Sequence, residues 1–273
     1  MSDNDQYKID KLEKEEVKPL LKEGFSLLFR TPLLTVLSGL FLFGLIYASY
    51  LLNDTSLMYF PLLIIIPFFS YSFCKANDHS LPFWKLDFRY FKFTPLQYIF
   101  FIIFLTIISA VVAFVGSFFE EDNTTTEEKT EMAKSFIYLI VFLVGLFFSA
   151  ISSFVFVNCH FTSMLSYHCA EKWQILHLHV KEDINALISF HSLIDDGVQK
   201  NRLLLYIIGF LFYFLSYILC FLLFDSLFIF GICFISVTLF LHHFLYVVIK
   251  HICNDGGIND KVKEKTFQFA EGM

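Results

Sequence analysis

Residues 203–249 read LLLYIIGFLFYFLSYILCFLLFDSLFIFGICFISVTLFLHHFLYVVI, and Asp225 is the only formal charge in them. A spanning helix needs roughly 20 apolar residues. Asp225 divides this run into stretches of that length, Leu203–Phe224 and Ser226–Ile249. Two antiparallel spans joined at Asp225-Ser226 fit it, with Asp225 at the interface capping the second helix. The rival reading buries Asp225 as an intramembrane carboxylate.

Four more stretches qualify on the same count: Leu33–Asn53, Thr55–Cys74, Leu96–Phe119 and Phe136–His160. Pro95 precedes the third, as suits a helix start. The sequence therefore predicts an all-α, polytopic membrane protein with six transmembrane helices arranged as three hairpins. Its divisions are a cytoplasmic tail with an amphipathic helix over 1–30, a membrane domain over 31–252 and a second cytoplasmic tail over 253–273.

Basic residues set the orientation. Lys8, Lys11, Lys14, Lys18, Lys22 and Arg30 precede the first span, and Lys75, Lys85, Arg89 and Lys92 follow the second. Lys172, Lys181, Lys200 and Arg202 follow the fourth, and Lys250, Lys261, Lys263 and Lys265 follow the sixth. The loop after span three holds only Lys129 and Lys134, among six acidic residues. Eighteen of the twenty Lys and Arg residues thus fall on one side, which predicts both termini in the cytoplasm.

Composition agrees. Of 273 residues, 56% are hydrophobic and 17% charged, and Phe alone supplies 38. A soluble domain runs nearer a quarter charged. The formal charge of −6 gives no basic face for nucleic acid. The six cysteines show no CxxC or Cys/His zinc spacing. Cys220 and Cys233 flank the tight turn at Asp225, where small apolar fillers are the simpler account.

Three amphipathic stretches precede outward spans. Val17, Leu20, Leu21, Phe25 and Leu28 recur at helical spacing, as do Val180, Ile184, Leu187, Ile188 and Ile194. Residues 81–93 alternate aromatics with Lys85, Asp87, Arg89 and Lys92. Such elements lie along the inner leaflet with their bases toward lipid phosphates, so membrane lipids are expected partners.

The most polar span is the fourth. Ser149, Ser153, Asn158 and His160 are the candidate lining of a polar cavity opening inward. The competing account is interhelical packing, with Gly145 and Ser149 at small-xxx-small spacing. His160 and His242 or His243 fall at comparable depth, where facing histidines would suggest haem or a metal. No short motif pairs them, and no cofactor or metal is assigned. Asp195-Asp196-Gly197 reads as a helix end with a Gly stop. No GxSxG, HExxH, P-loop or dinucleotide glycine pattern occurs, so no catalytic residue is assigned and the chain reads as non-enzymatic.

The stretch Gly24-Phe25-Ser26-Leu27-Leu28-Phe29-Arg30-Thr31-Pro32 leads into a span containing no charge. Pro61 and Pro67 follow in the return span. Later come Ala186-Leu187-Ile188-Ser189-Phe190 and Asn201 ahead of a new span. This arrangement resembles the YciC-like group of bacterial inner-membrane proteins, which share a six-helix plan and an A-L-x-S-F element before a late hairpin. Pro61, Ile64 and Phe68 stand where that group would carry a glycine-rich second span. The resemblance implies a bacterial cytoplasmic membrane and no particular chemistry. The expected function is a scaffold or subunit of a membrane complex, with a membrane-protein partner or a homo-oligomer. The alternatives are a transporter or lipid-handling protein with an inward-facing polar cavity, and an immunity protein against a membrane toxin.

Overall fold

The computed structural model describes residues 9–51, 66–79, 88–104, 106–107, 150–151, 153–172, 184–223 and 227–254, and the regular elements among them are all helical, with no strand. The helices are α1 Lys14–Leu28, α2 Pro32–Leu51, α3 Ile66–His79, α4 over 96–104, α5 over 153–172, α6 Ile184–Lys200, α7 Arg202–Leu223 and α8 Leu227–Asn254, with a 3₁₀ turn at Phe88–Phe93.

One helical stretch among the described residues, Gly231–Cys253, is long and apolar enough to cross a membrane. The pair Lys14–Leu28 and Pro32–Leu45 passes the same test together, bent by 89°. The bend is local chemistry. The α1 ladder closes with Phe29 and Arg30 donating to the carbonyls of Ser26 and Leu27. Pro32 then opens α2 at the position where a missing N–H costs nothing. The Thr35 hydroxyl donates across the corner to the Leu28 carbonyl, at 2.5 Å.

Two helices form the centre. In α8 every residue from Leu241 to Ile249 is buried, and in α5 every residue from Cys159 to Tyr167. Nine residues make two and a half turns, so both helices are wrapped on all sides there. α1 crosses α8 closely. A Cβ on Gly24 would sit 2.9 Å from the Phe244 Cα, and backbone cannot move aside. Gly209 allows a similar approach of α7 to Phe154.

The other faces are different. Large apolar side chains point away from the protein at Leu33, Val36 and Leu40 on α2, at Leu96 and Phe100 on α4, and at Leu203, Ile207, Phe210 and Phe214 on α7. Between them, Leu34, Leu42, Tyr98, Phe101, Leu205, Ile208 and Phe212 are buried at helical spacing. These helices are therefore apolar on both faces, unlike the surface helix of a water-soluble domain.

Several expectations change. Span four is expected to end at about His160, and the helix that carries it, α5, runs on to residue 172. Its polar residues are concealed, because Thr162, Ser163 and Ser166 donate to the carbonyls of Asn158, Cys159 and Thr162. Gly197 is no helix stop either, since α6 continues to Lys200. It is glycine because Ile9 packs 2.7 Å from where a Cβ would stand. The end of the 81–93 stretch is a 3₁₀ turn rather than an α-helix. The turns at Asp54 and Asp225, the acidic loop over 120–134, the side chain of Cys220 and the tail from 255 lie outside the described residues.

An N-terminal strap covers the C-terminal end of α8. Asp10 donates its N–H to the Ile252 carbonyl, and Leu12 donates to the side-chain oxygen of buried Asn201. The Asn201 amide in turn donates to the carbonyls of Asp10 and Gly197. One side chain at the α6–α7 corner thus holds the strap against the end of α8.

Candidate functional site

Of the expected cavity residues, Ser149 lies outside the described residues. Ser153 and Asn158 are partly exposed on α5, and His160 is wholly buried. Ser153 and His160 are seven residues apart and share a face, while Asn158 is turned away from them. The described structure therefore does not gather the set into one lining.

It gathers His160 with His242 instead. Their rings stack with centroids 4.4 Å apart and planes 15° from parallel. Phe156 lies over His160 as well, at 5.4 Å. Both nitrogens of His160 and Nε2 of His242 are buried without a hydrogen-bond partner. Rings in direct contact leave no room for a porphyrin between them, so this pair does not fit bis-histidine haem. Among the described residues, no group of three or more His, Cys, Asp or Glu side chains converges as a metal set.

The larger constellation lies toward the C-terminal end of α3. Tyr71 and Lys75 reach α5, Asn77 reaches α2 and α8, and Asp78 reaches α8 and the α1–α2 corner. The Tyr71 hydroxyl donates to Glu171 at 2.8 Å and lies 3.4 Å from His168 Nδ1. Lys75 pairs with the same Glu171 carboxylate. With the Tyr71 proton directed at Glu171, its oxygen is left to accept from His168 Nδ1–H, which leaves Nε2 as the bare, unpartnered nitrogen, shut off from solvent. Burial holds the His168 pKa down to about 4; the Glu171 charge opposes this, while Lys172, Lys250 and Lys75 reinforce it.

Asn77 donates to Thr35 Oγ1 at 3.2 Å and sits 3.0 Å from His243 Nε2. The His243 Nδ1 lies 2.8 Å from the Leu239 carbonyl, which places the ring proton on Nδ1 and leaves Nε2 to accept from Asn77.

Asp78 is the electrostatic hub, with its side chain only 10% exposed. Arg30, at the α1–α2 corner, reaches its Oδ1 at 2.9 Å and its backbone carbonyl at 2.7 Å. Lys250 on α8 reaches Oδ2 at 2.7 Å. Burial pushes this carboxyl up. The hydrogen bond and charge of Lys250, with His79 and Arg30, outweigh burial and hold it below the usual carboxylate range. Its ionised form therefore contributes stability above the ordinary carboxylate pKa. That contribution is lost as pH falls through the lower, folded-state value.

Nearby, the Cys169 and Cys253 sulfurs lie 3.6 Å apart, both buried, and Lys172 donates to the Cys253 carbonyl. Burial pushes the Cys169 thiol well above its usual range, so it is a poor nucleophile there.

Chemically, the site is a set of interlocked pairs that tie four helices at one end of the bundle. Sequence reading named His160 and the depth of His242, but it missed Tyr71, Asn77, Asp78 and Glu171. Each of these lies beside an apolar run, and its partner is distant in the chain. Compared with family models, curated proteins and solved structures, the chain has no match.

Proposed function

We propose that this is a non-enzymatic integral protein of the bacterial inner membrane, a scaffold or subunit of a membrane complex. In this reading six helices form three hairpins with both termini cytoplasmic, and α1 lies in the plane of the inner leaflet. The observation that carries it is the contrast between faces. α2, α4 and α7 turn large apolar side chains outward, while the polar groups at the inner end are engaged with one another. An exposed apolar surface of that extent suits lipid or a membrane partner. The corner of 89° between α1 and α2 fits a helix lying flat before one that crosses.

The test is topological. A reporter fused at Thr125 is expected to read outside, and fusions at both termini inside, with the protein resisting alkaline extraction. A cytoplasmic signal at Thr125 overturns the topology. For the complex, purification in mild detergent should give a defined assembly larger than one 32.0 kDa chain. A lone chain carrying lipid would instead favour a transporter or lipid-handling protein. The three unpaired ring nitrogens of His160 and His242 are the observation that favours this second reading, because buried polar groups without partners call for an explanation, a bound water or ion among them.

A further inference from the structure

α1 has more than one apolar side. Leu20, Gly24, Leu27 and Leu28 are buried against the bundle. Leu21, Phe25 and Phe29 are not: Phe25 is 57% and Phe29 58% exposed. These three stand at i, i+4 and i+8, one above another on the helix. Lys14, Lys18 and Lys22 follow the same spacing, and helical geometry places each beside that apolar row. All three lysines are exposed, and no ion pair engages them among the described residues. Glu16 and Glu23 fall toward the opposite edge, where Glu16 meets His251 at 3.1 Å. Glu15 stands at the margin of the basic row.

The sequence suggested one apolar stripe over Val17–Leu28, and the structure divides it into a core-facing row and an outward row. Phe29 is the C-cap of α1, and beyond the corner Leu33, Val36 and Leu40 of α2, which the membrane reading places in lipid, are exposed as well. A row of bases beside an apolar row, at the level where a flat helix turns into a crossing one, fits the phosphates and acyl-chain boundary of a leaflet. Three unpaired cations favour a headgroup with net negative charge over a zwitterionic one.

We propose that Lys14, Lys18 and Lys22, with Leu21, Phe25 and Phe29, form a docking strip for anionic phospholipid. The strip rests on the membrane reading above and adds a headgroup preference to it. Lysine stems lie along the apolar row and their ammonium groups reach outward to phosphate.

The experiment uses the full chain in two arms. In the first, protein reconstituted in phosphatidylcholine vesicles alone is extracted at alkaline pH. Release into the supernatant sinks the membrane reading, and the strip with it. In the second, protein in mild detergent is offered equal phosphatidylglycerol and phosphatidylcholine, and retained lipid is measured by mass spectrometry. The expected preference for phosphatidylglycerol is about fivefold or more, since each lysine at a charged surface is worth about a factor of five. In K14Q/K18Q/K22Q it should fall below about twofold, and 1 M salt should erode the wild-type preference in the same direction. Glutamine keeps the helix propensity, so this variant folds. Retention in phosphatidylcholine vesicles with no anionic preference, or a preference unchanged in the variant, overturns the strip and leaves the membrane reading standing.

Discussion

The two halves of α8 differ in composition and in surroundings: residues 227–240 carry no charge and no histidine, while the rest of the helix carries His242, His243, Lys250 and His251. In the first half Ile229 and Ile232 face outward and Ser236 returns its hydroxyl to the Ile232 carbonyl. In the second half Leu241 to Ile249 are buried on every side by α1, α3 and α5. Composition alone does not say which side chains of either half are covered. What separates them is what the neighbours bring: α1 contributes Gly24 at the crossing, α3 contributes Asn77 and Asp78, and α5 contributes His160. Burial of polar groups is tolerated only where partners are supplied, so the polar residues collect in the wrapped half.

The largest expected difference comes from truncating one residue in each half. Leu245→Ala removes a fully buried side chain and should cost about 2–5 kcal/mol. Ile232→Ala removes a half-exposed one and should cost less than about 1 kcal/mol. Thermal or denaturant unfolding in detergent reads both, and equal losses would erase the comparison. Ile232→Arg asks what lies outside. Facing lipid it should cost about 2.5–3.5 kcal/mol and lower the yield in the membrane fraction. Facing water it should be nearly neutral.

This contrast also explains what the chain discloses before it is folded. The starts of α2 and α7 follow directly from Pro32 and Arg202, each of which opens an apolar run. The corner at Phe29–Pro32 is legible for the same reason. The length of α5 is not, because an expected span length ends the helix at His160 while burial in protein lets it continue. The hydroxyls of Thr162, Ser163 and Ser166 look like a wet face, yet each is satisfied by its own helix, a bond that leaves no trace in composition. Asp78 looks like a loop residue because Arg30 and Lys250 are far away in the chain. Gly197 looks like a helix end because its real partner, Ile9, lies in the N-terminal strap.

The smallest predicted effect probes the wrapped region through protons. His168 is half-buried, with Nε2 shut off from solvent, and faces Tyr71 and Lys75 from α3, Tyr246 and Lys250 from α8, and Glu171 and Lys172 on its own helix. Its folded pKa is about 4, against 6.5 for an unperturbed histidine. Between these values the unfolded chain binds a proton that the folded chain refuses, so stability falls as pH drops below about 6.5 and levels off near 4. At pH 5.5 the loss from this one group should be about 1 kcal/mol relative to pH 7.5. His168→Gln keeps a polar group that can donate to Tyr71 but cannot take up a proton. Unfolding midpoints of wild type and variant should therefore diverge between pH 7.5 and 5.5, with the wild type losing more. Other titrating groups cancel in that difference. Parallel curves would mean that water reaches His168, and the wrapped half of α8 would then be no drier than the exposed one.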